Sequence, residues 1–360
     1  MRIVFSCGGT GGHITPALAI ADVVRENMPH ASIHFVGSQR GMENELILRA
    51  GYPFNALDVE GLSRSLSPRN LRVLWKALGA VGEAKRLLHR LSPDLVIGTG
   101  GYACYPTLRA AAALGIPCAV HESNAVPGLA VRRLAARVDR VWLNFSAAAT
   151  ALSSKASVRV VGNPLPNGFY LPRQGADDGM LHVLSFGGSL GADSLNGAIP
   201  ALMEKEASAG GIAHLHAGGK RGYEALRQTL SERGIFRHPQ LRLLPFIEDM
   251  PMQMARADLV ICRAGAMSIS ELAAAGVAAV LIPSPNVTGD HQYKNAMMLA
   301  EAGAARVLRE PFSSEALTET VMALLRDSRE RARMAEAIRG FAKKDAGRLI
   351  YEDIRALTRK

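Results

Sequence analysis

The sequence predicts an α/β protein built from two doubly wound parallel sheets, and three observations predict it. Short β-branched apolar runs alternate with stretches of helical periodicity along the chain. The series pauses once, at the Pro-, Gly- and Asn-rich stretch NPLPNGFYLPRQGADDG over 163–179, and then restarts. Both halves open alike, with a strand, Gly-Gly-hydroxyl, a further Gly and a helix: SCGGTGG over 6–12 and SFGGSLG over 185–191.

In the first half the strands are RIVFSC, SIHFVG, DLVIGTG, CAVHES, RVWLNF and VRVVG, each separated from the next by enough chain for a crossover helix. Thr15 and Pro16 form an N-cap and first-turn pair, which places the first helix over 16–26, just after His13. In the second half the strands are HVLSFGG, IAHLHAGG, LRLLPF, DLVICRAG, AAVLIPSP and ARVLRE. The domains are therefore expected at 1–163 and 164–339, with a helix over about 340–360 packing back on the first.

At 360 residues the chain exceeds one typical core, and its 48% apolar content is that of a globular protein. No apolar run is long enough to span a bilayer, and the run starting at Ile3 breaks into glycines before a signal-peptide core can form. A cytoplasmic protein starting at or near Met1 is expected. Cys7, Cys104, Cys118 and Cys262 lie far apart in apolar surroundings and read as free buried thiols. The net charge of +10 is concentrated in residues 1–163, which carry +8 of it. Such a half attracts nucleic acid, an anionic membrane or a polyanionic substrate. An aromatic content of 5%, with no stacking cluster and no Arg-rich helix, argues against nucleic acid.

Ligands of doubly wound sheets bind beyond the carboxyl ends of the strands, so the glycine-rich turns mark the site. Gly8, Gly9, Gly11 and Gly12 match neither the dinucleotide GxGxxG nor the P-loop, which leaves the general device of backbone amides and a helix N-terminus facing an anion. His13 is the one titratable group in that turn. It either packs the loop or acts as a general base or phosphate contact, for which an imidazole pKa of about 6.5 is suited. Gly100-Gly101-Tyr102 makes a further turn, and HESNAVPG over 121–128 offers Asn124 to a sugar hydroxyl, with Glu122 shaping the loop. Ser189 stands at the helix start of GGSLGA, ready for a phosphate. In RAGAMSISELAAAG, Glu271 either accepts two ribose hydroxyls or closes a capping box with Ser268, and the spacing fits both. The polar loop PSPNVTGDHQYKNA supplies Asp290, His291, Gln292 and Asn295 as readers of sugar hydroxyls.

GGTGGH, GGY, HESN, VVGNP, GGSLGA, FIEDM, CRAGAMSISELAAAG and DHQYKNA occur in the order found in the MurG family, and the resemblance covers nearly the whole chain. These are the bacterial N-acetylglucosaminyltransferases of glycosyltransferase family 28 that convert lipid I to lipid II in peptidoglycan synthesis. The resemblance implies a GT-B fold, two Rossmann-like lobes facing across a cleft, with UDP-GlcNAc as donor and the undecaprenyl-linked muramyl-pentapeptide as acceptor. It implies donor contacts from Thr10, Gly11, Gly12 and Asn124 in the first lobe. In the second lobe it implies Ser189, Ile247 beside the uracil, the turn Ala266, Met267, Ser268, Ile269 and Ser270, Glu271 on the ribose, and Gln292 with His291 on GlcNAc. Gly9, Gly100, Gly101 and Tyr102 would meet the acceptor diphosphate.

The implied reaction is an inverting displacement with His13 as candidate base, no cofactor and no essential metal, which suits the lack of a DxD-type cluster. The resemblance also implies a peripheral enzyme at the cytoplasmic face of the inner membrane, touching anionic leaflet lipids and partnered by cell-wall synthesis proteins. Leu74, Trp75 and Leu78 among Arg72 and Lys76 form an apolar stripe with basic flanks, which suits a membrane interface or, equally, a lobe core. Two positions depart from the family: Pro166, where an Arg is common, and Tyr105, where GGYxxGP has glycine. The alternatives of the same architecture are a UDP-GlcNAc 2-epimerase or a glycolipid synthase, and of another class a non-catalytic UDP-sugar-binding protein.

Overall fold

The computed structural model describes residues 1–9, 11–39, 41, 43–59, 69–174 and 178–359, with the side chains of 69–78 and of Thr288 outside the description. The chain divides into two compact units, Met1–Leu165 with Lys343–Lys360, and Pro166–Ala342.

The first unit carries strands β1 (Arg2–Ser6), β2 (Ser32–Ser38), β3 (Phe54–Leu57), β4 (Leu95–Gly98), β5 (Cys118–Glu122), β6 (Arg140–Leu143) and β7 (Val158–Val160). They form one all-parallel sheet in the order β3-β2-β1-β4-β5-β6-β7. Its helices are α1 (Gly11–Asn27), α2 (Glu43–Arg49), α3 (Arg69–Leu91), α4 (Cys104–Ala113), α5 (Leu129–Leu134) and α13 (Ala346–Thr358). Alternate strand residues feed two cores: Ile3, Phe5, Phe35 and Ile97 pack with α1 and α13, whereas Val4, Val36, Val96 and Val120 pack with α3 and α4. Burial on both faces is why these strands read as continuous apolar runs. β3, a strand the periodicity does not reveal, is a four-residue edge, FNAL, with a single buried residue.

The last helix is tied to this unit by a buried polar clasp. Asp353 accepts from Trp142 Nε1 at 2.8 Å and from Arg159 at 2.6 Å, and Arg140 Nε lies 3.2 Å away. Gly162, at φ +94°, makes room for Lys343, since a Cβ there would stand 2.3 Å from the Lys343 Cβ.

The second unit carries β8 (Leu181–Phe186), β9 (Ile212–Ala217), β10 (Leu241–Leu244), β11 (Leu259–Cys262), β12 (Ala278–Leu281) and β13 (Arg306–Val307), all parallel in the order β10-β9-β8-β11-β12-β13. Its helices are α6 (Asp193–Ala209), α7 (Gly219–Glu232), α8 (Met250–Arg256), α9 (Ala266–Ala275), α10 (His291–Glu301), α11 (Ser314–Arg326) and α12 (Ser328–Arg339). In each sheet the strand order reverses once, between β1 and β4 and between β8 and β11. A doubly wound sheet opens a crevice at such a point. All four cysteines are free and buried, and burial pushes Cys104 and Cys118 up to about 12, so none is a nucleophile near neutrality.

Candidate active site

In the first unit the turns after β1 and β4 meet backbone to backbone at the reversal point. A Cβ on Gly101 (φ +84°) would stand 2.0 Å from the Gly8 carbonyl oxygen, and one on Gly9 (φ +90°) would stand 2.7 Å from the Tyr102 ring. Only glycine fits such an approach. Thr10 lies outside the described residues. Helix α1 starts at Gly11 rather than at Pro16, so His13 belongs to its first turn. Pro16 sits inside the helix, where it forgoes only the hydrogen bond to the Gly12 carbonyl. His13 is half-buried; its carbonyl accepts from the Thr99 hydroxyl at 2.7 Å, and a Cβ on Gly100 would stand 2.7 Å from its Nδ1. Its ring therefore lies against the second glycine turn.

Sequence reasoning missed the group that shapes this turn from below. Glu43, fully buried, accepts from Gly9 N at 3.3 Å and Ser38 N at 2.8 Å. The signal was present: Gly8, Gly37 and Gly41 each abut its side chain, and a Cβ at any of them would collide with it. Tyr102 hydrogen-bonds Ser38 and its hydroxyl pKa is raised, chiefly by burial. Tyr105, the departure in this loop, sits in the first turn of α4 and packs partly into the core.

At the end of β5, Glu122 does shape its loop. Its Oε1 accepts from Asn124 N at 2.9 Å and Asn124 Nδ2 at 3.0 Å, and its Oε2 from Gly128 N at 2.8 Å. Asn124 is half-buried, with its amide oriented by this bond. His121 is fully buried and donates from Nε2 to the Gly162 carbonyl at 2.9 Å; burial pushes its pKa down to about 4, so it is neutral and structural.

In the second unit the glycine turn after β8 leans the other way, against the turn after β9. A Cβ on Gly191 (φ +86°) would stand 2.4 Å from the Gly218 carbonyl oxygen, and Lys220 N donates to Ser189 O at 3.2 Å. Ser189 is exposed in this turn, and not at a helix start as its spacing suggested: α6 begins four residues later, at Asp193.

Helix α9 begins at Ala266 with Gly265 as its N-cap and no side-chain cap, which rules out the Ser268–Glu271 capping box. The amides of Met267 and Ser268 are then left for a ligand. The Ile269 amide bonds Gly265 O at 2.9 Å and its side chain is buried, so Ile269 supports the turn without reaching into it. Ser270 donates to Ala266 O at 3.1 Å. Glu271, partly buried one turn on, has its carboxyl pushed up to about 7 by burial. Beneath them Arg263 pairs with Glu310, which also accepts from Ser194 Oγ at 2.5 Å.

Gln292, in the first turn of α10, commits Oε1 to Ser284 N at 2.9 Å, which leaves its Nε2 to donate outward. His291, the first residue of α10, is half-buried. Asn295 is buried and donates to Ala264 O at 3.4 Å, tying α10 to the β11–α9 turn. Asp290 (φ +54°) lies 3.5 Å from Arg309, which covers the Tyr293 ring at 4.3 Å. Together with Pro283, Pro285 and Glu310 they line a cavity of about 200 Å³. Ile247 turns into the core, while its neighbour Phe246 stands 58% exposed beyond β10. Phe246 is a flat apolar face that the sequence reading passed over.

Among the described residues no cluster of His, Cys, Asp and Glu could hold a metal, and no helix is long and apolar enough to cross a membrane. Leu74, Trp75, Leu78, Arg72 and Lys76 lie on α3 with their side chains outside the description.

Residues 3–143 match the N-terminal domain model of glycosyltransferase family 28, and residues 182–350 match its C-terminal domain model. The chain is 37% identical over 99% of its length to the UDP-N-acetylglucosamine–N-acetylmuramyl-(pentapeptide) pyrophosphoryl-undecaprenol N-acetylglucosamine transferase of Acetivibrio thermocellus, covering 98% of that protein. It is 38% identical, over the full length of the chain and 99% of the relative, to the transferase of the same name from Desulforudis audaxviator. Its fold superposes on the crystal structure of Acinetobacter baumannii MurG with a TM-score of 0.80, 31% identity and 99% of both chains covered.

Proposed function

The chain belongs to glycosyltransferase family 28, and from that premise we propose that it transfers GlcNAc from UDP-GlcNAc to the C4 hydroxyl of the muramyl sugar of lipid I, giving lipid II and UDP in peptidoglycan synthesis. It is a hexosyltransferase of GT-B fold. The observation that carries this reading is the full-length relationship to the pentapeptide transferases, with both family domains in order.

The roles of the site residues are parts of the same proposal. The second unit takes the nucleotide. Met267 and Ser268 amides and the Ser189 turn hold the diphosphate, and Glu271 accepts the ribose hydroxyls. Gln292 donates to the sugar with His291 beside it, and Phe246 lies on the uracil next to the Ile247 main chain. The first unit takes the acceptor, with its diphosphate at Gly9, Gly100 and Gly101 and with Tyr102 beside them, while Gly11, Gly12 and Asn124 reach the donor. His13 removes the proton of the attacking hydroxyl, held by Thr99 through its carbonyl and by Gly100 against its ring. UDP departs as an anion whose charge is met by helix N-termini and amides, so the proposal requires no metal.

The acceptor is lipid-linked, so the protein works at the cytoplasmic leaflet, where the basic first half and the α3 stripe meet anionic lipid. Release of UDP from UDP-GlcNAc, measured with and without lipid I or a short-chain analogue, tests the reading. Acceptor-dependent release is expected, and its absence from a protein that binds UDP-GlcNAc would leave only a binding protein.

A further inference from the structure

The core of the second unit holds a row of polar groups that glycosyl transfer does not use. His214 and His216 are two residues apart on β9, so they point to the same face, and Ser185 of the neighbouring β8 lies between them. Its Oγ is 2.6 Å from His214 Nε2 and 2.6 Å from His216 Nδ1. At one end His214 Nδ1 lies 2.7 Å from Glu206 Oε2 of α6. At the other, His216 Nε2 lies 3.1 Å from Asn196 Oδ1, and Asn196 Nδ2 donates to the Gly218 carbonyl at 2.8 Å. All five side chains are buried.

The last contact fixes the direction of every other. A carbonyl only accepts, so Asn196 presents its NH₂ to Gly218 and its oxygen to His216. His216 then donates from Nε2 and accepts at Nδ1 from the Ser185 hydroxyl, and Ser185 accepts from His214 Nε2–H. That leaves one proton shared between His214 Nδ1 and Glu206, either as a carboxylic acid facing a neutral ring or as an imidazolium–carboxylate pair. With it, each link carries one hydrogen and the row is neutral as a whole, as burial demands. His216 is held neutral, its pKa pushed down to about 3 by burial and by the neighbouring His214.

The row ends on the support of the Ser189 turn. A Cβ on Gly219 would stand 2.1 Å from Gly191 N, so the β9–α7 turn and the Gly188–Gly191 turn are in backbone contact. Gly222 leaves the space that the Asn196 amide fills, since a Cβ there would stand 2.2 Å from its Nδ2. We propose that Asn196 is a positioning residue for the diphosphate turn. It holds Gly218–Gly219, and through them Gly188–Gly191, and the row from Glu206 fixes which way its amide points. This rests on the reading that the Ser189 turn meets the donor diphosphate.

Asn196→Asp keeps the acceptor for His216 but cannot donate to Gly218, and Glu206→Gln replaces the shared proton by an amide hydrogen. Calorimetric Kd values for UDP and for uridine, with amide hydrogen exchange over 187–192, separate the two. N196D is expected to weaken UDP about tenfold, the worth of one buried hydrogen bond, to leave uridine within about twofold, and to speed exchange over 187–192. E206Q is expected to match the wild type in all three. N196D that binds UDP normally, or that loses UDP and uridine alike, overturns the proposal, as does an E206Q protein behaving like N196D. If N196D does not fold, Ser185→Ala breaks the row at its centre and is expected to move UDP affinity and exchange in the same direction. A wild-type protein that binds UDP no better than uridine would instead refute the diphosphate reading, while exchange would still decide whether Asn196 holds the turn.

Discussion

Lowering the pH from 8 to 6 should weaken the protein's hold on uridine about tenfold, and Glu271 is the reason. Burial pushes its carboxyl from 4.5 to about 7, so it changes charge inside that window. In the proposed role the ionised carboxylate accepts two ribose hydroxyls, whereas the acid would spend one oxygen on its own proton. If only the ionised form takes the diol, the apparent Kd scales as one plus the ratio of acid to base. That factor is about 1.1 at pH 8 and about 11 at pH 6, a difference of about 1.4 kcal/mol. Uridine is the right ligand because a terminal phosphate titrates in the same range and would mask the effect. Calorimetry at pH 6, 7 and 8 would give the curve, with 2′,3′-dideoxyuridine as a ligand without the diol. A flat uridine curve, or the same slope for the dideoxy compound, would refute the assignment. Glu271→Gln should flatten the curve. The same proton sets a stability trade. The folded state binds it more tightly, so stability from this group is fully present below 4.5 and is lost as the pH rises through 7, by about 3 kcal/mol at most. E271Q should therefore raise Tm at pH 8 and leave it unchanged at pH 4.

His13→Ala should keep the Kd for UDP within about twofold and lower turnover by roughly 10²- to 10⁴-fold; unchanged turnover in a steady-state UDP-release assay would remove His13 as the base. Asp353→Ala strands the buried Trp142 Nε1 and removes one partner each from Arg159 and Arg140, which keep Glu352 and Ser157, and thermal denaturation should show a loss of about 1–3 kcal/mol in the first unit. Transfer in excess EDTA should run at the rate seen with Mg²⁺, and a loss reversed by adding the metal would sink the metal-free mechanism. Trp75→Glu should weaken sedimentation with vesicles of anionic lipid while sparing transfer to a short-chain acceptor; undiminished sedimentation would assign the α3 stripe to the core.

The central strands were legible because burial on both faces leaves a continuous apolar run; of the edge strands, β7 and β13 have no buried residue and were legible only from the valines of VRVVG and ARVLRE, whereas FNAL of β3 contains no β-branched residue. The start of α1 was misplaced for a different reason. Proline at a first helical position is a strong local rule, but Gly8 on Gly101 and Gly9 on Tyr102 fix the turn earlier, and tertiary contact outweighs it. Glu43 and the Arg263–Glu310 pair stayed hidden because the contacts that give them meaning are long-range: Gly9 lies 34 residues from Glu43, and Glu310 lies 47 from Arg263. The most informative case is the glycine motif that both halves share. Locally it dictates the same thing twice, a tight turn free of side chains. What it packs against is decided elsewhere in the chain. In the first unit the turn leans across the strand reversal onto Gly101, so the reversal is occupied by backbone, Tyr102 and His13. In the second it leans away, onto Gly218 and Gly219 beside β9, and the β8–β11 reversal is left to Ser189, the α9 amides and Glu271. The same motif thus supports opposite tasks in the proposed reaction: one turn would present the base, and the other would leave open a crevice with amides for the phosphates of a nucleotide and a carboxylate for its ribose.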